Sequence, residues 1–157
     1  EFMCNKESSL CYENGNNKSS KSFKIGTLRL LNKKVKQNHW KELEQWIDNN
    51  ISSTHSYKIF GTGGNINKIH KILEGKKMQA INKKQIIQLR DALLPIDNYK
   101  KMHDFGIKPD RIDIIIPAMD IFLYILNKLD ADSIIVPKIG LSDGLIYNMY
   151  LSNTTTN

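Results

Sequence analysis

Apolar residues recur at the 3.6-residue spacing of an amphipathic helix in five stretches of the chain. In the first stretch Trp40, Leu43 and Trp46 share one face, and Asn38 is a suitable N-cap residue. The third stretch ends before Pro95, because proline cannot continue a helix. The spacing predicts helices over residues 39–51, 66–73, 83–94, 114–129 and 145–150.

Short alternating or β-branched runs lie between these helices and predict strands. The run over residues 21–31 carries Phe23 and Ile25 in alternation, continues through further leucines, and is interrupted at Gly26. Further strands are predicted over residues 57–60 and 133–137. An Asn-Gly turn near residue 15 is typical of a hairpin at the start of the chain.

Length and composition indicate one globular domain. The chain has 157 residues, of which 40% are apolar and 25% charged, and these values exclude a disordered chain or a pure coiled coil. We expect a truncated or poorly ordered hairpin region over residues 1–20, a folded unit over 21–151 and a tail over 152–157. Within the folded unit, the charged stretch over residues 75–107 is predicted to be a helical insertion.

The longest apolar stretch is too interrupted to cross a membrane. It covers residues 112–126 and contains Asp113, Pro117 and Asp120, whereas a span needs roughly 18 uninterrupted apolar residues. The first residues are polar and rich in Asn, which is not the pattern of a secretory leader. The sequence therefore predicts no membrane partner and a cytoplasmic protein.

The net charge of +7 has two interpretations. A polyanion partner is one, since a basic surface attracts nucleic acid, anionic membranes or phosphorylated substrates. The other is a bias of the coding sequence, because Lys, Asn and Ile are abundant and Lys scattered over solvated faces needs no partner. No basic run is interleaved with aromatic residues, so we do not expect nucleic acid as the partner.

A glycine-rich loop separates a predicted strand from a predicted helix. It consists of Gly61, Thr62, Gly63, Gly64 and Asn65. Glycines allow backbone N–H groups to approach an anion, and a helix that begins there directs partial positive charge at a phosphate. The loop lacks the Gly-Lys-Ser/Thr ending of a Walker motif and the last glycine of G-x-G-x-x-G. A tight strand-to-helix turn without a ligand is the structural alternative.

Two further segments are candidate phosphate-binding elements. Arg29 could donate two parallel hydrogen bonds to a phosphate, although a surface arginine without a ligand is the alternative. A second glycine-containing turn includes Gly140, Ser142, Asp143 and Gly144. There Ser142 is a suitable N-cap and Asp143 suits a first helical turn, so helix capping alone would also explain these residue types.

No other residues form a recognisable catalytic or metal-binding set. The four histidines are scattered and none belongs to an H-E-x-x-H motif. Cys4 and Cys11 have no nearby His, and zinc sites use more closely spaced pairs. The sequence also lacks the G-x-S-x-G turn of a serine hydrolase. We therefore assign no catalytic residue and no metal ligand in this chain.

The order of these motifs is more specific than any one of them. Over residues 20–150 the segments SKSFKIGTLRLL, YKIFGTGGNINKI, RID with IIIPAMDIFLYIL, and IIVPKIGLSDGLIYNMY follow one another. In this order they resemble the exopolyphosphatase and guanosine pentaphosphate phosphatase family (Ppx/GppA). The variant GTGGNINK with VPKIGLSDG is similar to the branch found in Bacteroidetes-type bacteria.

The resemblance implies an α/β fold of the ribonuclease-H-like type, from the actin-like ATPase superfamily, with a mixed sheet flanked by helices. Family members have two such domains that face each other across a cleft. This chain resembles most of the second domain, the C-terminal part of the catalytic core.

The resemblance also implies roles for particular residues. The loop at residues 61–65 matches the phosphate or nucleotide loop of the second domain, and residues 140–144 match its closing strand-to-helix turn. Arg29 and Arg111 match family arginines near the cleft. The catalytic Glu and the first phosphate loop belong to the first domain, so the resemblance places no catalytic residue in this chain.

The activity implied is hydrolysis of a terminal phosphate of polyphosphate or of guanosine pentaphosphate. It depends on Mg2+, whose ligands would lie mostly outside this chain, so the chain alone is expected to be inactive. A homodimer is left open. The alternative is a non-catalytic phosphate- or nucleotide-binding regulatory module, because fold alone does not separate enzymes from other members of the superfamily.

Overall fold

A short mixed sheet positions the glycine loop. The computed structural model describes residues 2–3, 8–13, 16–51 and 58–138, with side chains from residue 19 onward. Strand β1 (Phe2–Met3) pairs in parallel with β4 (Gly61–Thr62), and β5 (Ala80–Asn82) pairs antiparallel with β6 (Ser133–Ile135).

A parallel bridge between Phe60 and Ile135 joins the two pairs, so the strand order is β1–β4–β6–β5. The N–H of Ile135 also donates to the Ile59 carbonyl over 2.8 Å. Because β4 lies inside this order, the loop that follows it begins at the carboxyl end of a central parallel strand. Ligands of α/β folds bind at such ends.

A separate hairpin precedes the first helix. Strands β2 (Ser8–Glu13) and β3 (Asn16–Ser22) pair antiparallel, with a register irregularity between Cys11 and Tyr12. The two strands flank the predicted Asn-Gly turn, which itself lies outside the described residues.

Six α-helices are described, and four of them match the apolar periodicity of the sequence. These four are α2 (Gln37–Asn50), α3 (Gly64–Ile72), α4 (Lys83–Leu93) and α6 (Ile115–Lys128). The first of them begins after Lys36, not after the predicted N-cap Asn38. The two shorter helices are α1 (Thr27–Leu31) and α5 (Asn98–His103), and a 3-10 turn covers Pro109–Arg111.

Helix α6 lies at the centre of the apolar core. Half of its residues are buried, and α1, α3 and α4 pack against it. Helix α2 is joined to α6 by polar contacts as well: the Tyr124 hydroxyl donates to Glu44, and the Lys128 ammonium lies 2.8 Å from Asp48. Arg90 of α4 similarly pairs with Asp120 of α6. Among the helices of residues 16–51 and 58–138, none has both the length and the apolar character needed for a membrane crossing.

The strand predicted over residues 21–31 is wrong beyond Ser22. Phe23 and Ile25 are buried in alternation as predicted, but Gly26 becomes the N-cap of α1. The spacing of the leucines suits a helix as well as a strand. In the helix, Leu30 packs against the core, while Leu28 and Leu31 are exposed. The side-chain amide of Asn32 then donates to the Leu28 carbonyl and helps to end the helix.

The charged stretch over residues 75–107 is helical in α4 and α5, but it also contains β5, which the sequence did not predict. Only Ile81 of this three-residue strand is buried, so the strand carries no periodic pattern of its own. The predicted helix over 145–150 and the tail lie outside the described residues.

Candidate functional site

The glycine loop makes its sharpest turn at Gly63, directly before helix α3. Gly63 has φ of +103° and ψ of 174°, a conformation that side-chain-bearing residues rarely adopt. It is also the N-cap residue of α3, and a glycine has no side chain to accept the N–H groups of the first helical turn. These donors and the helix dipole make the start of α3 suitable for an anion.

Gly61 is required for packing. A Cβ atom at this position would lie 2.8 Å from Ile134 Cγ2 and 2.9 Å from Ile66 Cγ1. Both isoleucines are buried in the core. The absence of a side chain therefore lets β4 lie close to β6 and to the first turn of α3.

Arg111 lies against the other end of the loop. Its Nη1 donates to Asn65 Oδ1 over 3.3 Å, across a separation of 46 residues in the chain. A Cβ atom on Gly64 would lie 2.5 and 2.6 Å from the two terminal guanidinium nitrogens. Gly64 thus leaves the space that the guanidinium occupies. The structure therefore places the predicted site residue Arg111 against two residues of the predicted loop, Gly64 and Asn65.

Lys68 adds a second cation beside Arg111. Its ammonium donates to the carbonyls of Phe105 (2.9 Å) and Gly106 (2.6 Å). Burial, followed by the charges of Lys71 and Arg111, lowers the pKa of Lys68 below its ordinary value. Sequence reasoning missed Lys68, although it follows Gly64 by four residues and so lies on the same side of α3.

Thr62 places an unpaired hydroxyl at the end of β4. The residue is 6% exposed, and its Oγ1 has no hydrogen-bond partner among the described residues. Asn67 Oδ1, on α3, is in the same state. Buried polar atoms in folded proteins are nearly always paired. The Thr62 hydroxyl can donate to an anion, whereas Asn67 Oδ1 can only accept and therefore suits an ordered water.

Arg29 and the second glycine-containing turn were also predicted to belong to the site. Arg29 is exposed on α1, and the contacts that define the cluster do not include it. Gly140, Ser142, Asp143 and Gly144 lie outside the described residues.

The described residues fit an anion better than Mg2+. Mg2+ prefers carboxylate oxygens and water, and within the described ranges no three His, Cys, Asp or Glu side chains converge in a metal-binding group. The cluster instead carries the cations Lys68 and Arg111. Among the described residues, Asp110 lies near these cations, with its Oδ2 3.9 Å from Arg111 Nε. Within the described part of the chain, this cluster therefore does not supply a set of ligands suited to Mg2+.

Several solved structures share this fold. The chain superimposes on a Ppx/GppA family member from Aquifex aeolicus with a TM-score of 0.73 and 19% sequence identity, over 93% of this chain and 53% of the other. An exopolyphosphatase from Cytophaga hutchinsonii gives a TM-score of 0.67 and 15% identity, over 94% and 55% of the two chains. The chain thus spans about half the length of these proteins.

The likeness confirms the predicted fold class, an α/β fold with a mixed sheet flanked by helices. No protein with a curated description matches the sequence. A family model described as the Ppx/GppA phosphatase family matches residues 7–153, which include the glycine loop, Lys68 and Arg111. This match covers nearly the whole sequence, and the chain belongs to the Ppx/GppA phosphatase family.

Proposed function

We propose that this chain supplies one half of the phosphate-binding cleft of a phosphatase. The complete protein would remove terminal phosphates from inorganic polyphosphate, from guanosine pentaphosphate or from both. Residues 21–151 would form the second actin-like domain, and the catalytic Glu and the Mg2+ ligands would lie mostly outside this chain. The observation that carries the proposal is the guanidinium of Arg111 against Gly64 and Asn65, at the start of α3.

This arrangement suits a substrate made of phosphates. Such a substrate has no apolar surface, so its binding energy comes from backbone N–H groups, Arg, Lys and metal ions. The loop offers the N–H groups of the first turn of α3, while the guanidinium of Arg111 offers charge. Phosphoryl transfer needs mainly positioning and charge stabilisation, so a domain without an acid–base pair can still contribute to it.

The test is Mg2+-dependent phosphate release by the intact protein from polyphosphate and from guanosine pentaphosphate. Arg111→Lys keeps the charge but loses the planar fork, and we expect it to lower kcat/KM by about 10- to 100-fold. Arg90→Lys is the matched control, because Arg90 pairs with Asp120 between α4 and α6. Absence of release from both substrates would refute the proposal.

Two further outcomes of this assay are informative. We propose that residues 1–157 alone are inactive, and release by this chain at the rate of the intact protein would contradict that. The second candidate function is a non-catalytic phosphate- or nucleotide-binding module. Fold alone does not separate it from an enzyme, and binding of polyphosphate without any release by the intact protein would support it.

A further inference from the structure

Lys68 connects two parts of the chain that the sequence places far apart. It lies on α3, and its ammonium donates to two successive carbonyls, those of Phe105 and Gly106, 37 and 38 residues away. Hydrogen bonds from a charged donor are stronger than neutral ones. Lys68 therefore fixes the backbone that follows α5 against the side of α3.

The backbone at this point is shaped to receive the ammonium. Gly106 has φ of +55°, in the left-handed region, and a Cβ atom there would lie 3.6 Å from Lys68 Nζ. The next residue, Ile107, is buried, and its N–H donates to the Lys101 carbonyl over 3.1 Å. Both sides of the turn are thus anchored, one by Lys68 and the other by the core.

The anchored segment leads directly to Arg111. From Ile107 the chain passes through Lys108, whose carbonyl accepts the N–H of Arg111 over 2.9 Å. The guanidinium then reaches back to α3, where Nη1 donates to Asn65. Residues 105–111 and the first two turns of α3 are therefore joined at two points. Lys68 of α3 contacts the carbonyls of residues 105 and 106, and Arg111 contacts Asn65 of α3.

The two cations would repel each other if nothing offset their charges. The charge of Arg111 is one of the causes that lower the pKa of Lys68, after burial and Lys71. The two carbonyl oxygens partly offset this cost, because each presents the negative end of its dipole to the ammonium. Two of the three ammonium N–H donors are used in this way, so the geometry of Lys68 is determined mainly by the backbone of residues 105–106.

We propose that Lys68 is a positioning residue of the anion site: by holding residues 105–106 against α3, it keeps the Arg111 guanidinium beside Gly64 and Asn65. The effect of Lys68 on the affinity for an anion rests on the proposed function. The structural role of Lys68, the placement of Arg111, does not depend on which anion binds.

The first test needs no ligand. In the intact protein, Lys68→Met should increase the hydrogen-exchange rates of the Ile107 and Arg111 amides by about tenfold or more, because the turn loses one of its two anchors. Lys128→Met is the matched control, since it removes a lysine that pairs with Asp48 between α6 and α2. Lys68→Arg should largely restore protection, because a guanidinium can also donate to two neighbouring carbonyls. Unchanged exchange in Lys68→Met would overturn the proposal.

The second test is a double-mutant cycle on the affinity for inorganic tripolyphosphate. Lys68→Met should weaken binding about tenfold in the wild-type background and have little effect once Arg111→Met is present, because both changes remove the same contact. Equal losses in both backgrounds would show that Lys68 acts on the ligand by itself and would overturn the positioning role. If the wild-type protein does not bind tripolyphosphate, the proposed function fails, and the exchange test still decides the placement of Arg111.

Discussion

Replacing Gly64 by alanine separates ligand binding from folding more sharply than any other single change in the loop. Gly64 begins α3, and the new Cβ atom would lie 2.5 Å from Arg111 Nη1. An ordinary contact between such atoms is about 3.5 Å, so the guanidinium has to move by about 1 Å. Since the obstacle is the end of a flexible side chain, the backbone can stay in place.

The two effects of this substitution have opposite signs. Alanine is a better helix former than glycine by at most about 1 kcal/mol, so the free energy of unfolding should stay the same or rise slightly. The displaced guanidinium loses its hydrogen bond to Asn65 and its place at the start of α3. A charge-assisted hydrogen bond from the guanidinium to a bound phosphate is worth about 1.5–3 kcal/mol, and its loss corresponds to a loss of affinity of about 10- to 150-fold.

Gly61→Ala is the matched variant three residues earlier. Its Cβ atom would lie within 2.9 Å of Ile134 and Ile66, and these buried side chains cannot turn away. Overpacking of this kind costs about 1–3 kcal/mol. We therefore expect Gly61→Ala to lower the free energy of unfolding, whereas Gly64→Ala leaves it intact.

The assay combines urea denaturation with calorimetric titration of tripolyphosphate, on the intact protein. The expected pattern is a loss of stability in Gly61→Ala and a loss of affinity at full stability in Gly64→Ala. The proposed role of Gly64 is wrong if Gly64→Ala unfolds as easily as Gly61→Ala, or if Gly64→Ala binds tripolyphosphate as tightly as the wild type.

Three other predictions concern polar groups that are buried or half-buried. Thr62→Val removes a hydroxyl that has no described partner, so stability should be unchanged or higher while affinity for tripolyphosphate falls; a drop in stability by more than about 1 kcal/mol would show that the hydroxyl is paired. His70 is fully buried, and its Nε2 lies 3.1 Å from the Gln79 carbonyl oxygen. Burial lowers the pKa of His70 below 6.5. The neutral imidazole therefore stabilises the fold above pH 6.5, and this contribution is lost as the pH falls below 6.5. Denaturation at pH 7.5 and 5.0 should show this loss in the wild type and a smaller one in His70→Leu, and equal losses would contradict it. Burial and the neighbouring Glu44 raise the pKa of Tyr124 to about 12, so the neutral phenol stabilises the fold below pH 10 and this contribution is lost between pH 10 and 12. Absorbance titration of wild type and Tyr124→Phe should assign one tyrosine to about pH 12, and a difference curve centred at pH 10 would disprove the assignment.

The helices were predictable because their periodicity is long enough to be unambiguous. The four helices of 9–14 residues each bury one face at 3.6-residue spacing, and that spacing fixes them without knowledge of their partners. Shorter elements lack this property. The leucines of residues 27–31 fit a strand or a helix. In the structure these residues are helical, and Leu30 packs against the core. Strand β5 forms through its pairing with β6, about 50 residues away, and this pairing leaves no local pattern.

The site was predictable in part. Glycines between a strand and a helix indicate an anion loop by their residue types, and the structure places Gly63 in the conformation that only glycine adopts easily. The proximity of Arg111 to that loop came from the resemblance to a family, because a separation of 46 residues carries no geometric information. Lys68 was missed for a different reason. Its partners are backbone carbonyls, which every residue has, so no residue type marks them in the sequence.

The central claim is that the start of α3 and Arg111 hold a phosphate of the substrate. The most direct measurement is a tripolyphosphate titration of the 15N-labelled intact protein, followed through the backbone amides of Gly63, Gly64 and Asn65 and the Nε–H of Arg111. We expect saturable shifts of these four resonances with one dissociation constant, and loss of the shifts in Gly64→Ala. Saturable binding that leaves these resonances unmoved, or no binding at all, would contradict it.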